Sequence, residues 1–248
     1  MQDFQAFGHA TWNIFAPLNI NHPLLYINVP TVTHTTVVLI VLCALLAVCR
    51  YFLHKPDSLG CFIITSAVRT FMNLTIQTLG QFMYNHFAFI FSLFLFILSC
   101  NWISIIPWTE EPTMDLNTTV AVALIAFLYK ELFAIKTHGI GGYIKEFFEP
   151  FFVMFPLNVI GHFSKIISLS FRLYGNIFGG AIIVQLYTAA LGQSIIAQTL
   201  GLATGMNFLV LGFFTIFEGF IQAFVFAMLS LTYLSIAITP EETPEVAS

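Results

Sequence analysis

Arg172 lies within a long apolar stretch, and the residues around it, SLSFRLYGNIFGG, place Asn176 one helical turn away on the same face, with Gly175, Gly179 and Gly180 on neighbouring ones. A charged side chain at the centre of a bilayer costs at least about 2.5 to 3.5 kcal/mol. A guanidinium also stays protonated at any working pH, so it can attract a carboxylate or block a proton wire but cannot relay protons. Further along the chain, TIFEGFIQAFVFAMLSLTYLS carries Glu218 and Gln222 at i and i+4. On the other side of Arg172 lie Asn158, His162 and Ser164. Glu218 and His162 can titrate, so the pattern is one of polar groups leading to a fixed positive charge from two directions, as an ion path with a barrier requires. Lys165, seven residues before Arg172, can snorkel to an interface on its long stem. The glycines let another helix come close.

These residues need long apolar helices to hold them. The run TTVVLIVLCALLAVC, closed by Arg50, His54 and Lys55, predicts a first spanning helix over residues 35–55. Residues 61–84 mix apolar side chains with Thr, Asn and Gln at helical spacing, which predicts a helix lying on the membrane surface, with a spanning helix as the alternative. Residues 86–107, uncharged and rich in Phe and Ile, with Trp102 and Trp108 near the end, form a second crossing. A short acidic loop with Glu110, Glu111 and Asp115 follows, and Asp115 is placed to cap a third crossing over 116–136. Two long segments remain, 147–191 and 206–238. A 33-residue helix runs to about 50 Å against a hydrocarbon core of about 30 Å, so the last one must tilt steeply or bend.

Of the 248 residues, 58% are hydrophobic and 8% charged. A soluble domain carries about 25% charged residues, so the bilayer is the main solvent and one membrane domain the simplest organisation. The net charge of −4 argues against nucleic acid, which calls for a basic face. Cys43, Cys49, Cys61 and Cys100 form no CxxC pair and have no histidine at metal spacing, so they read as apolar filler. The first thirty residues show neither a cleavable signal pattern nor an Arg-rich transit pattern. If crossings alternate and residues 61–84 stay on the surface, Arg50, Lys55, Arg69, Lys130, Lys136 and Lys145 share one side, which predicts that side to be the cytoplasm or matrix. The N-terminus is then outside, the tail 239–248 with Glu241, Glu242 and Glu245 is inside, and Gln222 and Arg172 share a depth with Glu218 one turn further out. A secondary transporter built on inverted halves would show an internal repeat, and the sequence has none.

The segments PLNVIGHFSKIISLSFRLYGNIFGG (156–180) and IQAFVFAMLSLTYLSIA (221–237), with NWISIIP (101–107) and PTMDLNTT (112–119), resemble, in this order, the a subunit of rotary ATP synthases. The resemblance covers most of the chain after about residue 60. It implies an all-α polytopic membrane protein of five transmembrane helices and one surface helix, the last two helices long, strongly tilted and wrapped on a ring of c subunits. It implies a non-catalytic, proton-translocating stator with two half-channels, in which Arg172 faces the ring carboxylate, Asn176 and Gln222 are its polar neighbours, and Asp115 belongs to the outer entry. The family often has ionisable groups where this chain has Ala181 and Thr215, so Glu218 is expected to supply the outer titratable group. His162, Asn158 and Ser164 are expected on the inner path. No cofactor or metal is implied. The translocated ion is H+, with Na+ as the alternative. The implied partners are the c-ring, peripheral-stalk b-type subunits, other synthase subunits and the lipid bilayer, in a bacterial inner membrane or, second, a mitochondrial one.

Overall fold

The computed structural model describes residues 11–13, 26–55, 57–106, 109–148, 151–192, 199 and 205–238. Two three-residue strands, β1 (Thr11–Asn13) and β2 (Tyr26–Asn28), pair antiparallel ahead of the helices. The helices are α1 (Val29–Leu53), α2 (Leu59–Leu79), α3 (Tyr84–Trp102), α4 (Leu116–Phe148) and α5 (Phe155–Gly192). A last continuous run comprises α6 (Met206–Leu211), a π-helical stretch Gly212–Glu218, and α7 (Gly219–Ile238).

Six helical segments among the described residues are long and apolar enough to cross a membrane: Val29–Leu53, Leu59–Leu79, Tyr84–Ile105, Leu116–Lys145, Phe152–Gly192 and Met206–Ile238. The segment expected at the surface thus meets the same criterion of length and apolarity as the other five.

Several boundaries differ from those expected. The first helix begins at Val29 rather than at residue 35, because Pro30 falls in its first turn, where a missing N–H costs nothing. Its neighbour starts at Leu59, with Ser58 accepting a hydrogen bond from the Gly60 N–H at 3.2 Å. Helix α4 extends past residue 136 to Phe148, with a break at Gly139 (φ 72°, ψ 165°). That left-handed backbone suits glycine, and it turns the last residues of α4 away from the helix before them. The long helix then starts at Phe155, after a 3₁₀ turn at Phe152–Met154, rather than at residue 147.

The core is a seam of four helices, α3, α4, α5 and α7, joined by Phe71 of α2. Ile90, Leu93, Phe94 and Ile97 of α3 pack with Ala223, Phe226, Ala227 and Leu231 of α7. Val122, Ala123 and Ala126 of α4 and Leu169, Leu173 and Ile177 of α5 complete it. The spacing of three and four residues gives each helix one inward stripe. Lipid tails are as apolar as these side chains, so close packing over small residues such as Ala123, Ala126, Ala223 and Ala227 is what holds the helices together. Several hydroxyls in the spans are satisfied locally. Thr75, Ser170 and Ser230 donate to the carbonyls of Phe71, Ile166 and Phe226, each four residues back.

Candidate functional site

Antiparallel packing of α5 against the π-helical stretch and α7 sets the register of the central polar residues. The Asn176 side-chain amide donates to Gln222 Oε1 at 2.6 Å. One turn further along, Glu218 lies against Gly180: a Cβ built on that glycine would sit 3.1 Å from Glu218 Oε2. Gln222 therefore pairs at the level of Asn176, one turn beyond Arg172, and not at the level of Arg172 itself. The difference from the expected equal depth follows from the position of the contact: 176 meets 222 and 180 meets 218, so the level of Arg172 falls near Phe226.

Arg172 is exposed on α5, and among the described residues it has neither a hydrogen bond nor an ion pair. Ser164, Ser168, Gly175 and Asn176 are exposed with it and form a continuous stripe of small and polar residues at helical spacing. The core-facing neighbours Leu169, Leu173 and Ile177 are buried. Gln222 is 2% exposed, and its Nε2, like Glu218 Oε2, is a buried polar atom without a partner among the described residues. Buried polar atoms are nearly always paired, so two orphans on one helix face mark a place where water, a proton or another molecule completes the site.

The π-helical stretch positions Glu218. Such stretches widen the helix and loosen its backbone bonds, and they recur at functional sites. Here the surrounding carbonyls find side-chain donors from α3: Trp102 Nε1 donates to Ile216 O at 3.1 Å and Asn101 Nδ2 to Gly219 O at 3.0 Å. Asn101 is 1% exposed and in turn accepts from Thr113 Oγ1 at 2.9 Å.

The loop before α4 adds two carboxylates at this end. Asp115 caps α4 by accepting from the Asn117 N–H at 3.0 Å, and its other oxygen accepts from Thr31 of α1, also at 3.0 Å. Glu111 accepts from Ser104 Oγ at 2.6 Å. Burial pushes the Glu111 carboxyl up to about 7; the Ser104 hydrogen bond opposes this and the nearby Glu218 charge adds to it. The sequence shows Glu111 only as one member of an acidic loop and Asn101 only as the start of the segment NWISIIP.

At the opposite end a second polar cluster joins α4 to α5. His162 Nδ1 is 2.9 Å from Glu131 Oε1, Lys130 Nζ is 2.6 Å from the same oxygen, and Tyr143 donates to Glu131 Oε2 at 2.9 Å. Asn158 Nδ2 donates to the Phe147 carbonyl at 3.0 Å, which fixes the start of α5 to the end of α4. Of the expected inner residues, His162 and Asn158 are thus brought to this junction, whereas Ser164 faces outward on the Arg172 stripe. Sequence reasoning missed Glu131, although its neighbour Lys130 counts among the basic residues that share one side. Lys130 and Lys165 line one cavity with Ala126, Leu169, Ser230 and Tyr233, so the stem of Lys165 lies among the helices, with Nζ 5.7 Å from the centre of the Tyr233 ring.

Residues 31–235 match the family model described as ATP synthase A chain. The chain is 34% identical over 216 residues to ATP synthase subunit a of Syntrophobacter fumaroxidans, covering 84% of each chain. It is 33% identical over 205 residues to ATP synthase subunit a of Moorella thermoacetica, covering 83% of this chain and 88% of the relative. It is also 36% identical over 163 residues to ATP synthase subunit a 2 of a Picosynechococcus strain, where the match spans 66% of this chain and 65% of the relative's length.

Proposed function

Because the chain belongs to the ATP synthase A chain family, we propose that it is the proton-translocating, non-catalytic stator subunit in which Arg172 separates two aqueous half-channels beside a ring of c subunits. One observation carries this reading: Arg172 is exposed on a stripe of small residues in an apolar helix and has no counter-charge among the described residues. A permanent cation in that setting calls for an anionic partner from another chain. A carboxylate carried past it by a moving ring supplies one.

In this scheme a proton enters from outside past Asp115 and Glu218 and neutralises a ring carboxylate. The neutral acid can then turn into lipid, where the ionised form is too costly. After nearly a full turn the proton leaves by the inner path near His162 and Asn158, and the bare carboxylate is drawn to Arg172. Asn176 and Gln222 line the step between Glu218 and Arg172, and their 2.6 Å hydrogen bond supports that placement. Ser164 lies on the same exposed stripe as Arg172, which favours a place beside the ring over one in the inner cluster.

The architecture that goes with this function has five crossings, with Leu59–Leu79 on the membrane surface. The spans of 41 and 33 residues, Phe152–Gly192 and Met206–Ile238, are tilted along the ring. The N-terminus lies outside and the C-terminus inside an energy-coupling membrane, a bacterial inner membrane on the character of the relatives. Peripheral-stalk b-type subunits and the other synthase subunits complete the assembly. The test is Arg172→Ala in membrane vesicles carrying the whole complex. Proton-driven ATP synthesis should be lost while the complex still assembles. Coupled synthesis persisting in that variant would overturn the reading, and synthesis that followed a sodium gradient instead of a proton gradient would change the ion.

A further inference from the structure

We infer that Glu131 is a positioning residue of the inner path, which holds His162 with its proton on Nδ1 and leaves Nε2 as the nitrogen that exchanges protons. The inference rests on the placement of His162 on that path. The geometry is specific. His162 Nδ1 and Glu131 Oε1 are 2.9 Å apart, and a carboxylate oxygen facing an unprotonated ring nitrogen at that distance would set two lone pairs against each other. Nδ1 must therefore carry the hydrogen and donate it. Lys130 Nζ also lies 3.5 Å from Nδ1, but a bond there would need the lone pair that the closer contact excludes.

The carboxylate is itself held from three sides. Oε1 takes the Lys130 ammonium as well as His162, and Oε2 takes the Tyr143 hydroxyl. With Lys130 5% and Glu131 8% exposed, the buried charges cancel within the pair, and both carboxylate oxygens are satisfied. Tyr143 can reach Glu131 only because of the break at Gly139. Twelve residues of straight helix would separate the two by roughly 18 Å, beyond the reach of both side chains. The ring of His162 rests against Phe147, centroids 4.7 Å apart, and edge-on to Phe127 at 6.4 Å, so its plane is fixed as well as its tautomer.

Such an arrangement lets an imidazole take up and release a proton at one nitrogen while the other stays anchored. Among the described residues, the charged and titratable groups around this pair are Lys130 and Tyr143 of α4, Lys165 of α5, and Tyr233 of α7, the last two across the cavity that Lys130 lines.

The test compares Glu131→Gln, His162→Gln and the double variant in vesicles carrying the whole complex, with assembly checked by recovery of the intact complex. Proton conduction and its dependence on inner-side pH are read. An anchoring role predicts that Glu131→Gln lowers conduction at least about tenfold and alters the pH profile. It also predicts that the double variant conducts no worse than His162→Gln alone, because the two residues act as one unit. Multiplying effects, or a Glu131→Gln profile like that of the parent, would overturn the inference. Unchanged conduction in His162→Gln would instead overturn the placement of His162 on the path. Should Glu131→Gln block assembly, Glu131→Asp reads the same question, since it keeps the charge for Lys130 but draws the carboxylate back from Nδ1. A parent-like profile in that variant overturns the inference equally.

Discussion

The carboxylate of Glu218 occupies the space that a side chain on Gly180 would need: a Cβ there would lie 3.1 Å from Glu218 Oε2 and 3.3 Å from Phe214 Cδ1. The absence of a side chain at residue 180 therefore sets where the carboxylate of the π-helical stretch can sit. It does so one turn from the Asn176–Gln222 hydrogen bond, so that three polar groups line one seam between the last two long helices.

Gly180→Ala should displace Glu218 and lower proton-driven ATP synthesis several-fold without reducing the amount of complex in the membrane. Gly141→Ala, on the exposed last part of α4 and away from the Arg172 stripe, is the control. Its Cβ would meet nothing within 4 Å, and alanine is the better helix former by about 1 kcal/mol, so this variant should assemble and work like the parent. Equal activity in the two variants would show that the position of Glu218 is not set by this contact.

The pH dependence of stability should carry the signature of Glu111. Its carboxyl is raised from 4.5 to about 7, mainly by burial, so between those values the folded protein holds a proton that the unfolded chain has released. Stability from this group is thus fully present below about 4.5 and is lost as pH rises through about 7. The interval corresponds to roughly 3 kcal/mol. Glu111→Gln keeps an acceptor for Ser104 but has no charge to bury. Thermal denaturation of the purified complex should show parent and variant alike near pH 4.5, with the variant increasingly the more stable up to about pH 7. A constant difference across that range would exclude Glu111 as the source.

The sequence exposes Arg172 because a charge in an apolar run has no bland explanation, and Asn176, Glu218 and Gln222 become visible through their helical spacing from one another. Their relative depth is less legible. Helix register depends on which side chains interdigitate, and the π-helical stretch at Gly212–Glu218 changes the phase of the last helix in a way no periodicity announces. Glu131 is hidden for a different reason. Next to Lys130 at the end of an apolar run, it reads as part of a wet, charged helix end. Its burial appears only when α5 brings His162 against it and the break at Gly139 returns Tyr143 to the same carboxylate. Gly139 lies in the string HGIGG, whose closely spaced glycines are the sequence signal of that break.

Asn101 joins three elements, since its amide donates to Gly219 O of α7 and accepts from Thr113 of the loop that precedes α4. Gly219 is the counterpart on α7: a Cβ there would come 3.1 Å from Asn101 Cβ, so the two helices touch at this point. Asn101→Ala removes both hydrogen bonds, leaves the buried Thr113 hydroxyl without its acceptor, and opens a small void. Hydrogen bonds between spanning helices are worth about 0.6 kcal/mol on average, and an unsatisfied buried hydroxyl costs about 1 to 3 kcal/mol, so a loss of roughly 2 kcal/mol is expected. Thr113→Val deletes the donor and the need for an acceptor together, and should cost less. Denaturation of the purified complex ranks the two. If Thr113→Val were the more damaging, the Thr113 hydroxyl would owe its importance to something other than Asn101. If Asn101→Ala is the worse and also lowers proton-driven synthesis, the Asn101–Gly219 contact holds the π-helical stretch in register, and with it the carboxylate of Glu218.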